Sequence, residues 1–183
     1  MKDLALTALD SVARRGVTYA DVRAIEIRDR EISTKNGKAG HVSSSESAGV
    51  GIRVLAYGCW GFAATDDLTR EGLEAAAGLA LDIARAGTAA HKGDVELAHE
   101  GKHEATWISQ FRIDPFTISI DRQLAVLLAV DAELRRQQGV SLAEASMHFE
   151  RRRQFFASTL GSLIDQTRYT AGAGFSALSY KDG

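Results

Sequence analysis

The pair His103-Glu104 is the first place to look for chemistry. A zinc-peptidase helix carries His-Glu-x-x-His, because two histidines four residues apart share one face and grip one ion while the glutamate works on the bound water. Here the segment reads His103-Glu104-Ala105-Thr106-Trp107-Ile108-Ser109, without a second histidine. His91 and His99 lie in the same polar segment without helical spacing, so a surface loop is expected there rather than a metal centre. A nucleophilic serine elbow needs Gly-x-Ser-x-Gly, and neither Gly161-Ser162 nor Gly174-Phe175-Ser176 supplies it. Cys59 sits beside Trp60 in an apolar run of strand type and reads as a buried, inert thiol. Gly49-x-Gly51 and Gly172-x-Gly174 lack the third glycine and following helix of a dinucleotide loop. Such glycines in strands mark bulges or close backbone approach. Catalytic, cofactor-binding and metal-ligating residues are therefore each assigned as none.

The elements that would position any site can be read from pattern. Residues 3–15 form an amphipathic helix ended by Gly16, and Asp21 to Arg28 mixes β-branched and charged residues like a half-buried strand. Asn36-Gly37 is a hairpin signal, since both central positions of the favoured tight turn need positive φ. A polar strand, His41–Ser47, is expected next, then a separate strand Gly49–Leu55, and a return through Tyr57-Gly58 into Cys59–Ala64. Trp60 and Phe62 alternate there as a core face should.

Thr69 is placed to cap a helix that carries Glu71 and Glu74 in its first turns and stops at Gly87. Residues 88–118 show no clear periodicity and suit a functional loop or crossing segment. A third helix, about 121–138, precedes four short strand-like runs: 141–147, 153–159, 162–169 and 174–179. Helix followed by strands, twice over and without βαβ alternation, predicts an α+β fold with helices on a largely antiparallel sheet. The runs Phe155–Thr159 and Ala173–Leu178 are the apolar strands expected at an edge that invites a partner.

Bulk composition narrows the function classes. With 183 residues the chain suits one domain, 1–183, with a subdivision placed near 88–118. A net charge of −2 speaks against a nucleic-acid binder. The small clusters Arg14-Arg15, Arg135-Arg136 and Arg151-Arg152-Arg153 are flanked by acids and read as solvated faces. A lone cysteine excludes an internal disulfide. Met1-Lys2-Asp3 opens no signal peptide, and no run reaches the roughly 20 apolar residues of a membrane span, so a cytoplasmic protein is expected.

The run from Ala48 to Thr69, AGVGIRVLAYGCWGFAATDDLT, resembles the N-terminal signature of the TldD/PmbA family. These are peptide-maturing metallopeptidases also labelled modulators of DNA gyrase. Tyr19–Arg23, Ile83–Ala86, Asp114-Pro115-Phe116 and Gly161–Gln166 extend the likeness over nearly the whole chain, closer to the TldD-like branch. The resemblance implies an N-terminal α+β domain that precedes a C-terminal domain with a zinc-binding His-Glu-x-x-x-His helix. No position here matches that motif, so no metal ligand carries over: zinc is expected in the full-length protein and no cofactor in this chain. What the resemblance does imply is assembly, as a homodimer or with a PmbA-like paralogue, and guidance of an extended peptide substrate. The alternative it leaves is an interaction module that modulates a partner such as DNA gyrase. A small hydrolase built on His103 and Glu104 ranks last, for want of the second histidine.

Overall fold

The computed structural model describes residues 1–90 and 93–180. In chain order it contains α1 (Lys2–Ala13), β1 (Tyr19–Lys35), β2 (Lys38–Ala56), β3 (Cys59–Thr65), α2 (Arg70–Gly87), β4 (Glu104–Ile108), a 3-10 turn (Pro115–Thr117), α3 (Ile120–Arg135), β5 (Val140–Ser158) and β6 (Leu163–Ser179). The six strands form one sheet in the order β3-β2-β1-β5-β6-β4. The fold is α+β, as expected, but the sheet is mixed: β3 runs antiparallel to β2, whereas β4 runs parallel to β6.

Local chemistry explains the punctuation. Asn36 and Gly37 adopt φ of 47° and 80°, so the turn between β1 and β2 has the two positive-φ residues that match the twist of a hairpin. The Thr69 hydroxyl accepts from the Gly72 N–H at the start of α2, and the Ser119 hydroxyl accepts from the Arg122 N–H at the start of α3.

The strands are longer than their composition suggests. The expected strands 41–47 and 49–55 are one strand, β2, and the four runs after α3 are two, β5 and β6. Polar and apolar stretches alternate along these strands because burial changes along their length, not because the chain turns. Segment 88–118 is not wholly without structure, since β4 lies within it.

Two compact units emerge. The first comprises Met1–Glu26, Ser47–Ile108 and Arg152–Thr167. Its core packs α1 and α2 onto one face of the strands: Ala5, Ala8, Leu9 and Val12 from α1, Leu73, Ala77, Ala80 and Ala84 from α2, over Val22, Ile52, Val54, Ala63 and Phe155. The second comprises Ile27–Glu46, Ser109–Arg151 and Arg168–Gly183, with a small core of Ile32, Leu127 and Ala145.

The expected orientation of β3 is reversed. Cys59 and Ala63 are buried, Trp60 is half-buried and Phe62 is 56% exposed. The cause is Gly61, whose missing side chain admits α2: a Cβ there would overlap the Ala80 carbonyl oxygen and stand 2.8 Å from the Ala84 nitrogen. A helix that close leaves no room for rings, so small residues face it and the aromatics take the other side.

Candidate interaction site

That other side of the first unit is built from alternate residues. Pleating puts Tyr19, Asp21 and Arg23 of β1 opposite the face of Ala20, Val22 and Ala24, which belong to the core. On β2 the same rule presents Arg53, and its register partner on β3 is Phe62. Asp21 is fully buried. Its Oδ2 accepts from Arg53 Nε at 2.8 Å and Arg53 Nη2 at 2.6 Å, and its Oδ1 accepts from Arg23 Nη1. The Arg53 guanidinium lies 4.6 Å over the Trp60 ring and that of Arg23 lies 5.0 Å over Phe156. Tyr19 meets Trp60 edge to face at 5.9 Å.

The electrostatics follow from this packing. Burial raises the Tyr19 hydroxyl above its usual pKa, and the Asp21 charge adds to the rise. Burial works against the Arg53 charge, but the hydrogen bonds and charge of Asp21 outweigh it and hold Arg53 above the ordinary arginine value.

The first unit also contains both outermost strands, β3 and β4. Strand β4 pairs with β6 from Glu104↔Leu163 to Ile108↔Thr167. All five of its residues are exposed, including Trp107 and Ile108 at 52% and 53%. His103 anchors it: its backbone N–H donates to Ser162 Oγ at 3.0 Å, and its carbonyl accepts from the Leu163 N–H at 2.8 Å. A hydrogen bond from Lys102 holds the exposed Glu104 carboxyl below its ordinary range.

Within the second unit the chain after β4 is tied to β6. Ser109 Oγ accepts from the Tyr169 N–H at 2.8 Å, Asp114 accepts from the Tyr169 hydroxyl at 3.1 Å, and Phe111 packs 4.5 Å from the Tyr169 ring. Phe116 lies under Arg28 and Arg30, at 4.9 Å and 5.3 Å. The later part of β6 is exposed from Thr170 onward, with Phe175 at 69%.

The residues weighed for chemistry are not brought together. Glu104 opens the edge strand β4 instead of lying in a loop, and His99 sits in exposed coil; His91 falls outside the described residues. Among the described residues no three of His, Cys, Asp or Glu are grouped to hold a metal ion, so the family's zinc has no fitting donor set there. Cys59 is a free, buried thiol. The backbone approach expected of strand glycines is found at Gly49, which the Thr65 carbonyl approaches; Gly51 instead receives the Phe62 ring, and Gly172 and Gly174 lie open. The run Phe155–Thr159 is not at an edge: β5 lies between β1 and β6, with Phe155 and Ala157 buried. Arg136 pairs with the exposed Glu133 and Arg153 with Asp165, whereas Arg135 pairs with the fully buried Asp131 and is no simple solvated charge. Sequence reasoning missed the Asp21–Arg23–Arg53 cluster. Its one local signal is the two-residue spacing of Asp21 and Arg23 on a single strand face.

Known proteins share parts of this sequence and its fold. Residues 20–84 match the family model described as PmbA/TldA metallopeptidase domain 1. Over 81 residues, 44% of this chain, the sequence is 40% identical to a protein named metalloprotease from Methanothermobacter thermautotrophicus, and the match spans 16% of that protein. The fold matches a candidate modulator of DNA gyrase from Bacteroides thetaiotaomicron with a TM-score of 0.77, at 15% identity, over 100% of this chain and 42% of that one. It matches TldE from Thermococcus kodakarensis with a TM-score of 0.69, at 17% identity, over 99% of this chain and 39% of that one. The chain thus spans about two fifths of these solved relatives.

Proposed function

We propose, from the premise that this chain belongs to the TldD/PmbA family through its segment 20–84, that it is a non-catalytic domain of a zinc metallopeptidase that guides peptides and supports assembly. The observation that carries this is β4, an outermost strand with every residue exposed and two large apolar side chains among five. An open strand edge offers unpaired backbone groups, which recognise any extended chain by main-chain hydrogen bonds. That suits a peptidase acting on extended peptides of varied sequence. The same edge, or the exposed later part of β6, suits pairing with a second copy or a PmbA-like paralogue. No described helix is long and apolar enough to cross a membrane. The gyrase alternative rests on the names of relatives, not on a feature of this chain.

The test uses the longer protein that carries this chain, with Trp107→Ser and Ile108→Ser together. KM for a long unstructured peptide is expected to rise about tenfold, the loss of one good apolar anchor, while kcat on a tripeptide stays unchanged. An unaltered KM for the long peptide refutes peptide guidance at β4. Light scattering of the same variant reads whether β4 also supports assembly.

A further inference from the structure

We propose that the groove between α1 and α2 binds a small organic oxyanion, a phosphate ester or a carboxylate carried on an apolar group. Both helices belong to the first unit, and they leave between them a cavity of about 600 Å³, a volume that suits a small molecule. Leu4, Leu68 and Leu73 line its inner part: Leu73 is buried, and the other two are partly buried against the core. Arg14, Arg15 and Arg70 line it too, all three exposed. Glu74 brings two of these guanidiniums to one place. Its carboxylate accepts from Arg70 Nε at 3.1 Å, and its carbonyl accepts from Arg15 Nη2 at 3.4 Å. Gly78, one turn further along α2, leaves room for the Arg15 head, since an added Cβ would stand 3.1 Å from Nη1. The Arg15 guanidinium thus rests against α2 before any ligand arrives, which lowers the entropy lost on binding.

The charge balance favours an anion. Asp10 and Glu74 are the acids in the lining, against three arginines, so one net positive charge remains. Glu74 is engaged by Arg70, whereas neither Arg14 nor Arg15 forms an ion pair among the described residues. A guanidinium carries five N–H donors, so most of those in the groove are uncommitted. Arginine forks grip carboxylate and phosphate oxygens through paired, charge-assisted hydrogen bonds. The leucines add a reason to prefer an oxyanion with an apolar group over a bare ion, because the group leaves water against them.

This site does not rest on peptide guidance by β4, and its failure leaves that reading intact. The experiment uses the whole 183-residue chain and four probes: phenyl phosphate, benzoate, inorganic phosphate and benzyl alcohol. NMR titration at low salt is expected to give at least one of the two aromatic anions a Kd of about 1 mM or tighter. The Nε–Hε resonances of Arg14, Arg15 and Arg70 should shift with it, and the tighter of the two identifies the oxyanion. Inorganic phosphate should bind about tenfold more weakly for want of the apolar contact, and benzyl alcohol not measurably. Arg14→Gln with Arg15→Gln should weaken the aromatic anion about tenfold or more. Both side chains are exposed, so this variant keeps its fold, which circular dichroism checks. Arg122→Gln with Arg136→Gln removes the same charge from α3 and should leave binding unchanged. Equal losses in the two double variants, or no loss in the first, overturn the site. So does benzyl alcohol binding as tightly as benzoate, or neither aromatic anion binding at about 10 mM.

Discussion

Gly61 and Ala80 touch backbone to backbone: a Cβ on the glycine would overlap the alanine's carbonyl oxygen. At Gly61, strand β3 and helix α2 thus meet with no side chain between them. Gly61→Ala must lift the helix or bend the strand, and neither motion is small in a packed core. We expect a loss of about 3 kcal/mol in urea melts, the upper part of the usual overpacking cost. A loss below about 1 kcal/mol would mean that α2 yields easily and does not dictate which face of β3 is buried.

Phe62 supplies the converse. Its ring is 56% exposed and rests on Gly51, so Phe62→Ala should cost less than about 1 kcal/mol. Trp60, half-buried beneath Arg53 and against Tyr19, should cost more. The expected order of damage is Gly61→Ala, then Trp60→Ala, then Phe62→Ala, read from denaturant midpoints at constant slope. Phe62→Ala as the most damaging of the three would return the aromatics to the core.

The Asn36-Gly37 turn and the Thr69 cap were legible because a few adjacent residues decide each one. Strand lengths were not, because β2 passes from exposed serines to a buried Val-Ile-Val face without turning. Strand β4 gave no signal: with all five residues exposed, it has no alternation to detect. The face of β3 was misread because large residues usually fill cores, while here the closeness of α2 selects small ones. The Asp21–Arg53 pair could not be seen locally, since 32 residues separate its members.

Acid should expose the Arg153–Asp165 pair. Arg153 donates to the Asp165 carboxylate through Nε at 3.2 Å and Nη2 at 2.7 Å, and these bonds hold its pKa below the ordinary 3.8. A depressed carboxyl pKa adds stability that is present above 3.8 and lost as pH falls through the folded-state value. Asp165→Asn should therefore be less stable than the native chain at neutral pH, by less than about 1 kcal/mol for a pair this exposed. The two melting curves should converge as pH falls well below 3.8. A constant gap from pH 7 to pH 2 would assign the loss to packing instead.

In the second unit, Asp131 and Arg135 set a sharper test. The inner stripe of α3 is Gln123, Leu127 and Asp131, at four-residue spacing, and Asp131 is fully buried. Its Oδ1 accepts from Arg135 Nε at 2.8 Å, while its Oδ2 has no hydrogen-bond partner among the described residues. Arg135 is 45% exposed and lies against Gly37, where an added Cβ would stand 2.5 Å from Nη2. Arg135→Ala removes the cation and leaves a buried carboxylate without charge compensation, a loss of about 3 kcal/mol by precedent for buried pairs. Asp131→Asn in that background removes the stranded charge at nearly constant volume, so it should recover about half of the loss. Urea melts of the two single variants and the double variant give the coupling directly. If the double variant is no more stable than Arg135→Ala, the cost lies in lost packing against Gly37 and not in the buried charge.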